Sequence, residues 1–149
     1  MSRRFEEHYT HLGRQFVLVC EGPVDGTRYE VSIREAPDGR LLTRAPVRGR
    51  SPDDARDRAL EVIATMLGIE RLQETILAVA AELAPGARVE LTENARAIQA
   101  DVVGTWRLTA PLTVPRDVVM DPDVDLEAIR AQIRAHFLAH LTARSDITT

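Results

Sequence analysis

Apolar and polar residues alternate with a period of two from Tyr29 to Arg34: Tyr29, Val31 and Ile33 against Glu30, Ser32 and Arg34. That period places the apolar three on one face of a half-buried strand. Pro37-Asp38-Gly39 then predicts a turn: proline presets its φ, aspartate bonds back to its own backbone, and glycine accepts positive φ. Leu41, Thr43, Ala45 and Val47 alternate with Leu42, Arg44 and Pro46 as a second strand. Pro46 has no N–H for a ladder, which puts this strand at an edge. At Ser51 the period changes to that of a helix. Ser51 is an N-cap, Pro52 takes the first helical position, and Asp53 and Asp54 place negative charge in the first turn. Ala55, Ala59, Val62, Ile63 and Met66 share one stripe, flanked by Leu60 and Leu67. Gly68 predicts a left-handed stop, with Ile69 placed for the contact of a Schellman-type end. The stretch 29–67 therefore reads strand, turn, strand, capped helix, and the rest of the chain is organised around it.

Before this unit, residues 1–13 read as a polar arm or short helix containing His8 and His11. Gln15–Cys20, apolar at nearly every position, reads as a strand covered on both faces. Glu21–Thr27 is a turn region. After Gly68 a second helix is predicted on Leu72, Ile76, Val79, Ala80 and Leu83, ended by Pro85-Gly86. Strands follow around Val89–Leu91 and Ile98–Val102. Trp106, Leu108, Ala110, Leu112 and Val114 give the cleanest alternation in the chain, with Pro111 keeping its far end out of a sheet centre. Asp121-Pro122-Asp123 opens a last helix with the stripe Leu126, Ile129, Ile133, Phe137 and Leu141, and residues 143–149 read as a flexible tail. The fold class is α+β: an antiparallel sheet packed by two to three helices, in the order (α)βββαα-βββ-α. One domain over 1–149 is expected, with halves 14–68 and 69–142 whose similar capping admits a pseudo-duplication of the ββα unit.

The composition leaves this picture intact and narrows the function. At 149 residues, 44% hydrophobic and 28% charged, the chain is an ordinary globular sequence. A net charge of −4 excludes a general electrostatic nucleic-acid binder. No apolar run has membrane length and no leader pattern opens the chain. Cys20, the single cysteine, lies in the run FVLVC and reads as a buried, reduced thiol of a cytoplasmic protein. All 19 basic residues are arginine, the residue suited to planar, bidentate pairing with carboxylates and phosphates.

Three groups are candidates for chemistry. Asp121, Asp123 and Asp125 resemble a calcium-loop start, but the sixth and twelfth positions hold Leu126 and Gln132 where glycine and glutamate are required; a dipole-matched helix start explains them better. His136 and His140 have the i, i+4 spacing of metal ligands, yet Phe137 stands where a metalloprotease helix carries glutamate. A packed, hydrogen-bonded pair is the preferred reading. Arg34, Arg40, Arg44, Arg48 and Arg50 make the hairpin region basic within an acidic chain, a strip able to meet nucleic acid or an acidic partner. A solvated face paired with Glu30, Glu35 and Asp38 weighs more. There is no phosphate loop, nucleophile elbow or firm metal spacing, so the chain is read as non-catalytic and without a cofactor.

The alternating Tyr29-x-Val31-x-Ile33 strand, the Pro37-Asp38-Gly39 turn, Pro46 and Gly49, and Ser51 with Asp54-Ala55 resemble the HicB-like antitoxin domain, a ββα-based partial RNase-H-like or double-stranded-RNA-binding-like fold. The resemblance covers 29–67 and implies a non-catalytic protein-binding module. The leading expectation is thus an antitoxin-like or adaptor protein acting through a sheet edge or helix face. A homodimer is expected from exposed edges such as Leu41–Val47. A nucleic-acid-associated regulator using the arginine strip is the second expectation, and a ligand-binding or enzymatic module with a pocket between sheet and helices is the third.

Overall fold

The computed structural model describes residues 3–143. The fold is α+β, with antiparallel sheets and three helices. The chain divides into two compact units, 1–66 and 67–149.

The first unit holds a five-stranded antiparallel sheet. Its strands are β1 (Arg3–His11), β2 (Arg14–Val24), β3 (Arg28–Glu35), β4 (Arg40–Leu41) and β5 (Val47–Gly49). The order is β1-β2-β3, with β4 and β5 both pairing along the far side of β3. Directly opposed residues share a face. The register therefore lines up Phe5, Cys20, Val31 and Val47 in one row, and Glu7, Leu18 and Ile33 in the next. Phe16, Leu18, Val31 and Ile33 are buried on this face. Above it runs the start of α1 (Pro52–Leu83), whose Ala55, Ala59 and Ile63 are fully buried. Ser51 caps the helix as expected, its Oγ accepting from Asp54 N at 3.0 Å. Gly49 permits the close approach of strand and helix: a Cβ there would stand 2.3 Å from Ala55 N.

Several expectations need correction. Residues 3–11 of the anticipated arm or short helix form strand β1. The second hairpin strand, expected to run unbroken from Leu41 to Val47, is two short pieces. Arg34 pairs with Leu41 and Val31 with Val47, so five residues, 42–46, lie opposite the two at 32–33; Leu42 N still donates to Ile33 O at 2.9 Å, and the chain leaves the ladder after it. Pro46 and the local bond from Thr43 Oγ1 to Ala45 O favour that excursion. Met66, assigned to the buried stripe, is 39% exposed; the buried line climbs by fours through Ala55, Ala59, Ile63 and Leu67.

The largest correction concerns Gly68. It does not stop a helix: α1 is continuous over 32 residues and replaces the two helices expected. Within the second unit, Gly68 is where α1 meets α2 (Arg116–Met120), and a Cβ on it would lie 2.2 Å from the Val119 carbonyl oxygen. Here glycine serves close packing rather than a turn.

The second unit carries the sheet β6-β7-β9, built from β6 (Arg88–Glu93), β7 (Ala97–Val103) and β9 (Leu112–Pro115). A separate antiparallel pair joins β8 (Trp106–Leu108) to β10 (Leu141–Ala143). The clean alternation of 106–114 is thus split between two sheets, breaking at Ala110-Pro111, and Thr109 N donates to His140 O at 2.9 Å. The last helix, α3 (Leu126–His140), starts later than Asp121. Asp125 is its N-cap, accepting from Glu127 N and Ala128 N, while Asp121 closes α2. Ile76, Ile98, Ile133 and Phe137 centre the core of this unit. The expected tail lies, beyond Ala143, outside the described residues.

Candidate functional site

Strand β1 is the outermost strand of its sheet among the described residues, and it is nine residues long. One side of its backbone pairs with β2 from Arg3↔Gly22 to His11↔Arg14; the other side, from Arg3 to Thr10, faces no further strand among the described residues and is a sheet edge. Beside it lies a cavity of about 290 Å³ lined by Phe5, Glu7, Leu18, Cys20, Val31, Pro52, Asp53 and Arg56. Phe5, Leu18, Cys20 and Val31 supply an apolar floor from three neighbouring strands, and the first turns of α1 form the opposite wall. Phe5 itself is 50% exposed.

The wall is pinned by one ion pair. Arg56 Nε and Nη2 donate to Glu7 Oε2 and Oε1 at 2.6 and 2.8 Å, a bidentate contact between α1 and β1. The hydrogen bond from Arg56 holds the Glu7 carboxyl below its ordinary range, and the same contact raises Arg56. Cys20, expected to be buried, is only half-buried, and its thiol is shifted the other way: desolvation, and then the charge of Glu21, push it up. A thiol raised in this way stays protonated near neutrality and is a poor nucleophile.

The structure does not keep the five predicted arginines together. Arg34 folds onto the turn, its Nη1 donating to Gly39 O at 2.8 Å. Arg40 lies close enough to Glu35 to help Arg14 lower that carboxyl. Arg44 is exposed in the excursion between β4 and β5. Arg48 pairs with Glu30 at 3.2 Å. Only Arg48 and Arg50 share a depression, which they line with Arg28, Gly49, Asp54 and Arg58. Sequence reading missed Arg28 and Arg58, which come from the start of β3 and the second turn of α1.

The rings of His136 and His140 lie against each other at a tilt of 39°, with centroids 4.5 Å apart. His136 Nε2 lies 2.8 Å from Ala110 O, and because a carbonyl only accepts, that nitrogen carries a proton and is closed to a metal. His140 Nδ1 meets Thr109 Oγ1 at 3.0 Å. Among the described residues no group of three or more His, Cys, Asp or Glu is placed to hold a metal ion. No helix among them is long and apolar enough to cross a membrane.

Together these features define an α+β fold that carries a sheet edge with an adjoining apolar pocket. No family model, curated protein or solved structure matches the chain.

Proposed function

We propose that the chain is a small non-catalytic protein-binding module of regulatory type, antitoxin-like or adaptor-like, that takes an extended segment of a partner protein along β1. The observation that carries this reading is the coincidence of a long free strand edge with a pocket at its side. In β-strand addition, main-chain hydrogen bonds supply affinity and a pocket reads alternate side chains. Here an incoming strand finds the outer groups of Arg3–Thr10, and one of its apolar side chains fills the cavity beside Phe5. The raised Cys20 thiol and the neutralised Glu7–Arg56 pair fit a recognition surface better than a reaction centre.

Selection of displayed random peptides against the chain, counter-selected with Phe5→Asp, tests the reading. The expected result is enrichment of extended peptides with alternating apolar residues that slow amide exchange in β1. Peptides that bind Phe5→Asp equally well, or that protect other strands, would reject it.

Self-pairing competes for the same edge. An antiparallel two-fold centred on Glu7 sets Phe5 opposite Tyr9, and Glu6 opposite His8, of the second copy. It leaves Glu7, already engaged by Arg56, facing itself. A concentration-dependent dimer lost in Phe5→Asp would assign the edge to a homodimer.

A further inference from the structure

The depression formed by Arg28, Arg48, Gly49, Arg50, Asp54 and Arg58 encloses about 250 Å³, roughly the volume of eight waters in the liquid. Four arginines line it together with one aspartate, in a chain whose net charge is −4. That carboxylate is already engaged: Asp54 accepts from Arg50 N at 2.9 Å and from Arg58 Nε at 3.2 Å. These two hydrogen bonds, the backbone one first, hold its pKa below the ordinary range. Arg48 pairs through Nε with Glu30 and Arg58 through Nε with Asp54, and among the described residues neither places a terminal nitrogen in a hydrogen bond. Arg28 has no carboxylate partner among the described residues. The surplus is therefore of N–H donors on planar forks, the geometry that grips oxyanions.

We infer that this cleft binds the phosphoryl end of a small molecule, with a diphosphate as the best-matched group. A singly charged planar carboxylate would leave most of the donors unmet. Among the described residues no aromatic or aliphatic side chain lines the cleft, so they offer nothing on which a base or sugar could stack; the organic part of the ligand projects into solvent. The predicted strip does not extend the cleft into a track: Arg34 is spent on the turn, and Arg44 stands apart. A nucleic-acid backbone, which draws its affinity from many spaced phosphate contacts, is accordingly the weaker match.

Calorimetric titration of the full chain at low ionic strength with inorganic pyrophosphate tests this, with orthophosphate, sulfate and a mixed-sequence oligonucleotide as parallel arms. Pyrophosphate should bind at one site and more tightly than the two smaller anions. Arg28→Gln and Arg58→Gln should each weaken it about tenfold or more, the usual effect of losing one charge-assisted hydrogen bond. Arg28→Lys should retain part of the affinity, and Arg44→Gln all of it. Asp54→Asn, which removes the one opposing charge, should tighten binding several-fold, a change that damage to the fold would not produce. Circular dichroism checks that each variant is folded. The proposal is overturned if wild-type chain does not bind pyrophosphate, if Arg44→Gln weakens it as much as Arg28→Gln, or if the oligonucleotide binds while pyrophosphate does not.

Discussion

Two glycines show how much a single atom decides. Gly68 and Gly49 lie where another backbone comes within the space a Cβ needs: the carbonyl of Val119 in one case and the amide of Ala55 in the other. Helix propensity alone would favour Gly68→Ala by about 1 kcal/mol. The clash has the opposite sign and the greater weight, because backbone on both sides must move. Gly68→Ala should therefore destabilise by about 1–3 kcal/mol, seen as a lower urea midpoint at unchanged slope; a stabilised variant would show that the approach is looser than described. The same letter explains why the sequence misleads here. A glycine after an apolar stripe signals a helix end, but it also signals close packing, and only the distant Val119 distinguishes the two. Ser51 carries no such ambiguity, because its cap depends on residues three positions away. Ser51→Ala should cost about 0.5–2 kcal/mol, measured by the same denaturation.

At the scale of elements, those legible in the sequence are the ones whose reasons are local. Strand β3, the turn after it and the start of α1 follow from period, turn chemistry and capping within a few residues. Strand β1 does not. Its inward positions are Phe5, Glu7, Tyr9 and His11, and the polar Glu7 and His11 among them erase the alternation that marks a half-buried strand. That glutamate is tolerated because Arg56, 49 residues onward, meets it with two hydrogen bonds. Glu7→Gln should accordingly speed amide exchange along β1 and leave exchange in β6 and β7 unchanged; unaltered β1 protection would show that the pair does not hold the strand. The alternation at 106–114 misled in the opposite way. It is regular enough for one strand, yet Pro111 and the return of the chain at Leu141 divide it between two partners. The arginine cleft was half legible for the same reason: Arg48 and Arg50 are neighbours in sequence, whereas Arg28 and Arg58 reach it only through the fold.

For the molecule as a whole, acid sensitivity follows from three carboxylates. Glu7, Glu35 and Asp54 are each held below their ordinary range, mainly by hydrogen bonds from Arg56, from Arg14 and from the Arg50 amide. A carboxyl lowered on folding contributes stability that is complete above its unfolded pKa, about 4 for these groups. That contribution is lost as pH falls through the folded value. All three lie in the unit 1–66. Acidification below about pH 4 should therefore strip protection from β1–β3, and Glu7→Gln with Glu35→Gln should flatten that dependence in a pH series of denaturation curves. A pH dependence unchanged in the double variant would rule these pairs out as its source. Because the pairs are partly exposed, added salt should shrink the effect.

The sulfur under Phe5 gives the pocket a clock of its own. Cys20 is the only thiol in the chain, and it lines the space a visiting side chain would enter. Half-burial and a raised thiol make its alkylation slow but leave it measurable, so the rate at which a small reagent reaches it reports on access to that space. Occupancy of the edge can then be followed in a crude mixture, without knowing in advance what has come to occupy it.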